Sequence, residues 1–318
     1  MRILICRTDS IGDVMLTLPM AYYIKQMMPN AHVMFLGKSY TEAVIERCLW
    51  VDDFLNSDNA YTLEDAVQLI ETAKPDTMIF ALPDKKWMKA AYKAKVPKRV
   101  ATGHRLASWR WANVRPMFGR KNSHLHEAQL NLKLLDCLGF DQSPTIEELN
   151  KLELLYFNST RKVRRLIIHP FSQGSALNWT LSDYDELVGM LSDTDWEIVI
   201  SGTQKDQLEL THFGGKNLLR ISSVCGLFTL SEFIDYVAES SILLACSTGP
   251  LHLAATSGIH AVGLYVDRRP IHPERWAPIG KHVHVIKELD SKQEKVMTTP
   301  SLVATFLKSI MEPQATKH

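Results

Sequence analysis

Short apolar runs alternate with longer amphipathic stretches along the whole chain. ILIC at 3–6, HVMFLG at 32–37, DTMIFAL at 76–82, RLIIHP at 165–170, WEIVISG at 196–202, ILLACS at 242–247 and HAVGLYV at 260–266 are nearly continuous in apolar character. That pattern predicts strands buried on both faces of parallel sheets. Between them, MLTLPMAYYIKQMM, EDAVQLIETA, HEAQLNLKLLDCLG, SDYDELVGMLS and LSEFIDYVAES place apolar residues at helical spacing. Strand, helix, strand, repeated, predicts an α/β protein.

The series restarts after residue 140. FDQSPTIEELNKLELLYFNSTRKVRR has no strong strand pattern before RLIIHP and carries the Pro, Asn and Ser of a linker, so a boundary is expected near 141–163. The expected domains are 1–150 and 151–318, each Rossmann-like and doubly wound. Two such halves predict a cleft between their strand C-terminal ends, where open α/β sheets take ligands. The last residues, 300–318, read as a helix and a polar tail.

Composition fits this picture. At 318 residues with 46% hydrophobic and 22% charged positions, two ordinary domains can each bury a core. A net charge of +1 argues against a chain devoted to nucleic acid. The five cysteines are odd in number, scattered and set in apolar or helical surroundings, as expected of reduced core thiols in a cytosolic protein. No apolar run approaches the roughly 18 residues of a membrane span. The N-terminus reads as a strand rather than a signal peptide, so any membrane contact is expected at the cytoplasmic surface.

Three stretches could carry chemistry. In RTDSIGDV, at the end of the first strand, Asp9 and Asp13 flank a turn; either they cap a helix or one acts as a base. In ILLACSTGPLHLAATSG a strand ends at Cys246, and Ser247, Thr248, Gly249 and Pro250 lead into a helix with His252 in its first turn. Free N–H groups and the helix dipole there suit a phosphate, although the same residues also make a plain turn. In IIHPFSQGSALNW, Ser172, Gln173, Gly174 and Ser175 form the first strand-to-helix loop of the second half, the favoured place for nucleotide phosphates. No GxGxxG or GxxxxGK[ST] occurs, which weakens dinucleotide and P-loop readings.

Together with the helix at 126–139 and HPERWAPIG, these motifs resemble, in order and over most of the chain, glycosyltransferase family 9, the bacterial ADP-heptose:lipopolysaccharide heptosyltransferases. The resemblance implies a GT-B fold, with the acceptor on the first domain and the nucleotide-sugar on the second. It implies inversion at the anomeric carbon, an ADP-heptose donor, and neither metal nor other cofactor. By the same resemblance, Asp13 is the general base. Asp206, Phe228, Thr248, Gly249 and His252 match the family's donor site, with Asp206 toward the ribose and Phe228 beside the adenine, and Ser172, Gln173, Gly174, Ser175, Ser247 and Pro250 are expected to join them from the two strand-to-helix loops. Gly12, Lys98, Arg99 and Arg105 are expected at the acceptor. Two positions depart from the family pattern: Ser247 stands where many members have Asp, and Leu177 where they have Lys.

Residues 85–121 hold twelve of the 36 Lys and Arg and no Asp or Glu, with Trp87, Trp109 and Trp111 interleaved. A solvated basic face, RNA binding by charge and stacking, and an anionic glycolipid all fit such a run. The glycolipid, met at the inner-membrane surface, is preferred because the run lies in the acceptor half; no nucleic-acid partner is expected. Asp193-Thr194-Asp195 spells a metal-binding DxD but sits in a helix-to-strand turn, and His272 reads as a loop residue. The alternatives to a transferase are a nucleotide-sugar epimerase on the same fold and a catalytically silent binding protein.

Overall fold

The computed structural model describes residues 1–120, 123–158, 162–172, 179–266, 268–290, 295–296 and 298–312. The chain divides into two compact units, Met1–Phe157 with Pro278–Lys281, and Asn158–Ala277 with His282–His318. The second unit is therefore not one continuous stretch: four residues that a linear division assigns to it belong to the first.

In the first unit β1 (Arg2–Cys6) leads to α1 (Ile11–Met15), α2 (Pro19–Met27), β2 (His32–Gly37), α3 (Glu42–Glu46), β3 (Asp53–Asn56) and α4 (Leu63–Ala73). β4 (Thr77–Phe80), α5 (Lys85–Lys93), β5 (Lys98–Val100), α6 (Leu106–Trp111), α7 (Glu127–Leu132) and α8 (Ile146–Leu149) complete it. Its five strands are parallel in the order β3-β2-β1-β4-β5. Ile3, Leu4 and Ile5 have no exposure, because β1 is central and covered on both faces. The strand order reverses beside β1, so the loop after Cys6 lies at a topological switch point.

In the second unit β6 (Arg165–His169), α9 (Leu181–Met190), β7 (Glu197–Ile200), α10 (Gln204–Phe213), β8 (Ser222–Ser223) and α11 (Leu230–Glu239) come first. They are followed by β9 (Ile242–Cys246), α12 (Gly249–Thr256), β10 (His260–Val266), α13 (Pro273–Trp276), β11 (Val283–Asp290), β12 (Lys295–Val296) and α14 (Pro300–Met311). The sheet order is β12-β11-β10-β9-β6-β7-β8, parallel except for the antiparallel β11–β12 edge. Here the order reverses between β6 and β9, which puts the loops after His169 and Cys246 side by side. Leu166, Ile168, Leu244, Val262 and Leu187 pack the core on one face, and Ile167, Leu243, Leu251 and Ala254 on the other.

The helix expected over MLTLPMAYYIKQMM is two helices. Pro19 lacks an N–H and starts α2 as its first residue, leaving Leu16 to close α1. The helix expected at 126–139 is α only to Leu132 and continues as a 3-10 turn to Leu138. Within the expected linker, Thr145 and Glu148 form a reciprocal cap on α8. The four cysteines Cys6, Cys48, Cys225 and Cys246 are buried and Cys137 half-buried, all as free thiols. Among the described residues no helix is long and apolar enough to cross a membrane.

Candidate functional site

In the first unit the chemistry gathers in the turn after β1. Ser10 caps α1 and its hydroxyl lies 2.5 Å from Asp13 Oδ2, while Thr17 Oγ1 donates to the Asp13 carbonyl at 2.8 Å. Arg7, 3% exposed, forks three ways: Nε to Asp9 at 2.6 Å, Nη2 to Asp13 Oδ1, and Nη1 to Glu127 Oε1 at 3.4 Å. Burial alone would lower the pKa of that guanidinium; Asp9, Asp13 and Glu127 outweigh it and raise it, so Arg7 stays charged. Asp9 is driven upward by burial and by Asp13, against the pull of Arg7. Asp13 thus both joins the cap and keeps one partly exposed carboxylate in the turn. Gly12 is buried inside α1, so any contact it makes with a ligand is through its backbone.

The basic run divides into two sets. Lys98 Nζ donates to the Cys137 carbonyl at 3.1 Å, and Arg99 donates to the carbonyls of Trp111 (2.8 Å) and Val96 (2.5 Å). Both are engaged by the unit's own backbone. Arg105 is exposed at the head of α6. Beside it α6 presents Leu106, 90% exposed, and Trp109, 57% exposed, and Met117 stands next to them against Gly103 at 66%.

In the second unit Thr248 caps α12 without using its hydroxyl. The N-cap hydroxyls of α4, α8, α9, α10, α11 and α14 each accept an N–H from the first turn. Thr248 Oγ1 makes no such bond and is buried without any hydrogen-bond partner among the described residues. A buried hydroxyl with no partner costs about 1–3 kcal/mol, so a ligand at this helix start recovers what the fold leaves unmet. Pro250 is within the first turn and Gly249 opens it; His252, buried, follows on the same helix. Ser247 lies beside the buried Tyr265 phenol, which donates to the Trp276 carbonyl at 3.3 Å. Burial, the largest influence, raises that phenol, so Tyr265 is a neutral anchor.

A cavity of about 680 Å³ opens at the C-terminal ends of β6 and β7, lined by Phe171, Ser172, Trp179, Thr203, Lys205, Asp206 and Glu209 among others. Asp206 lies on its wall while reciprocally capping α10 with Thr203, whose N–H it accepts at 2.6 Å. Phe228, 36% exposed, rests on Tyr236 at 4.7 Å in the loop before α11. Ser172 and Asp206 therefore share one cavity, whereas Ser247 to His252 sit at the neighbouring switch-point loop and Phe228 on a third. Gln173, Gly174, Ser175 and Leu177 lie outside the described residues. Of the DxD, Asp193 pairs with Lys308 (2.9 Å) and Asp195 with Arg164 (2.6 Å), which makes both surface ion pairs. Among the described residues no group of three or more His, Cys, Asp or Glu is placed to hold a metal ion. His272 lies in the loop before α13, as expected, and is buried, with Nδ1 3.0 Å from Glu274.

Glu127, Tyr265 and Arg120 were not legible as site residues from the sequence. For Tyr265 the signal lies in strand register: β9 and β10 pair Cys246 with Leu264, which brings the next residues, Ser247 and Tyr265, together.

Two doubly wound α/β units of this kind make the GT-B fold. Residues 114–303 match the family described as glycosyltransferase family 9 (heptosyltransferase); this is more than half of the chain, which belongs to that family and is a glycosyltransferase. A Haemophilus influenzae protein named "Putative glycosyltransferase" is 26% identical over 307 residues, covering 89% of this chain and 88% of that one. The E. coli ADP-heptose lps heptosyltransferase II matches in fold with a TM-score of 0.77 at 17% identity, over 98% of each chain. E. coli heptosyltransferase WaaC, solved with ADP, matches at 0.75 and 16% identity, over 98% of this chain and 100% of that one.

Proposed function

We propose that this glycosyltransferase moves a heptose from ADP-heptose to an anionic glycan of the lipopolysaccharide-core type, with inversion and without a metal. The observation that carries the donor half is the unpartnered Thr248 hydroxyl at the start of α12. There the diphosphate accepts from Thr248 and from first-turn backbone N–H groups, while Ser172 and Asp206 hold the nucleoside through the cavity between β6 and β7. The two similar E. coli proteins, described as using or binding ADP compounds, support the choice of donor.

The reaction is one displacement. Asp13 takes the proton of an acceptor hydroxyl, the hydroxyl oxygen bonds to C1 of the sugar, and the C1–O bond to ADP breaks with its electron pair leaving on the phosphate. The charge that develops on ADP is met by Thr248 and the α12 dipole, since Leu177 supplies no cation. Ser247, beside Tyr265, meets the donor with a neutral hydroxyl. On the acceptor side Arg105 and the exposed α6 face meet an anionic glycolipid at the cytoplasmic membrane surface, with Lys98 and Arg99 supporting the loop from within.

The test is ADP release from ADP-heptose with truncated lipopolysaccharide and no added metal. Release that requires acceptor is expected. Conversion of the sugar without acceptor would replace this reading with an epimerase, and tight ADP binding without turnover would replace it with a binding protein.

A further inference from the structure

The contacts around Asp13 close into a ring. Its carboxylate pairs with Arg7; Arg7 reaches Glu127 at 3.4 Å; Glu127 pairs with Arg120; Arg120 donates to Asn131 Oδ1 at 3.0 Å. Asn131 Nδ2 then donates to Thr17 Oγ1 at 3.2 Å, and Thr17 donates back to the Asp13 carbonyl at 2.8 Å. Glu127 (1% exposed) is almost wholly buried, as is Asn131 (0%). A buried carboxylate is tolerated when it is paired, and within the ring Glu127 is the member that touches both cations.

We propose that Glu127 is a positioning residue that sets the basicity of Asp13 by competing with it for Arg7. The consequence for turnover rests on Asp13 being the base; the electrostatic role does not. The titratable groups around Asp13 among the described residues include Arg7 and Asp9 from its own loop, the Tyr40 phenol, and, across Arg7, Glu127 from α7. Arg120 stands behind Glu127, and the Tyr40 phenol bonds the Asp9 carbonyl from the turn after β2. With Glu127 charged, Arg7 is divided among three carboxylates and its grip on Asp13 is reduced. Removing the Glu127 charge gives Asp13 a larger share of Arg7 and one fewer repulsion, both of which favour its ionised form. Removing Arg120 does the reverse, because Glu127 then draws more of Arg7.

The experiment is a carboxyl-carbon NMR titration of Asp13 in the full chain, assigned with Asp13→Asn. Glu127→Gln is expected to lower the Asp13 pKa by about half a unit to one unit, and Arg120→Met to raise it by a similar amount. Glu127→Asp, which keeps the charge, is expected to restore the wild-type value. All three lower the Tm as any change to a buried pair does, so the Tm does not decide the matter; opposite signs from Gln and Met do. An Asp13 pKa unmoved in both, or moved the same way in both, overturns the proposal, and should Glu127→Gln fail to fold, an Arg120→Met shift that is absent or downward overturns it alone. If the pKa moves as expected but the acid limb of kcat does not follow it, the base assignment falls and the role of Glu127 stands.

Discussion

Asp13 meets its neighbours through three kinds of contact: ion pair to Arg7, hydroxyl to Ser10, and backbone to Thr17. Capping and chemistry, which look like alternatives in RTDSIGD, are compatible in one residue, since the contact with the capping Ser10 orients the carboxylate. Asp13→Asn keeps the shape and removes the base, so acceptor-dependent ADP release should fall by roughly 10²- to 10⁴-fold with ADP affinity unchanged; retained release would end its catalytic assignment. Thr248 gives a sharper contrast. Its hydroxyl has no internal partner, so Thr248→Val should weaken ADP binding by about fivefold to tenfold in calorimetry while leaving the Tm level or higher. Thr203→Val removes a hydroxyl that does cap its helix and should instead cost about 1 kcal/mol of stability. Asp13 and Thr248 were legible because each sits in a strand-to-helix turn whose local chemistry is visible. Glu127 was not: in the sequence HEAQ reads as a helix start, and its value depends on Arg7, which lies 120 positions earlier.

At the scale of elements, the central strands were readable because burial on both faces forces continuous apolar runs. β3 and β5 were not, since DFLN and KRV are short edge strands, half-exposed and charged, in keeping with how edges avoid further pairing. The composition of residues 85–121 announced a basic element but not which side chains turn outward. Arg99 braces the end of α6 through Trp111, and that leaves Leu106, Trp109, Arg105 and Arg110 facing out together. An apolar wedge rimmed by cations suits an anionic lipid surface. Vesicles containing phosphatidylglycerol should therefore sediment the protein at low salt, and neutral phosphatidylcholine vesicles should not. Leu106→Glu with Trp109→Ala should reduce that binding at least about fivefold with ADP affinity preserved. Equal binding to both vesicles, or an unaffected double variant, would remove α6 from any membrane role; preference for RNA over vesicles would reassign it.

For the molecule as a whole, acid should act on the second unit before the first. His169 is fully enclosed at the end of β6, bonded to Ser201 Oγ at 2.9 Å, and burial lowers its pKa to about 4. His260 and His284, 2.9 Å apart and stacked with an 11° tilt, are lowered too, first by burial and then by neighbouring histidines. A histidine whose folded pKa lies below its unfolded value of about 6.5 is neutral in the fold, so its contribution is complete above that pH and is lost as pH falls toward the folded value. For His169 the loss is about 3 kcal/mol by pH 4. Glu274, held at about 2 against its own burial by Lys287 and His272, acts with the same sign but only below about 4.5, so pH 7 to 5 isolates the histidines. Hydrogen exchange of the intact chain, corrected for intrinsic rates, should show Arg165–His169 and Ile242–Cys246 losing protection across that window while Arg2–Cys6 keeps it. His169→Gln, which can still bond Ser201, should remove most of the slope in the second unit. If the slope persists in that variant, the acid sensitivity does not reside in His169 and must be sought in the stacked pair between β10 and β11.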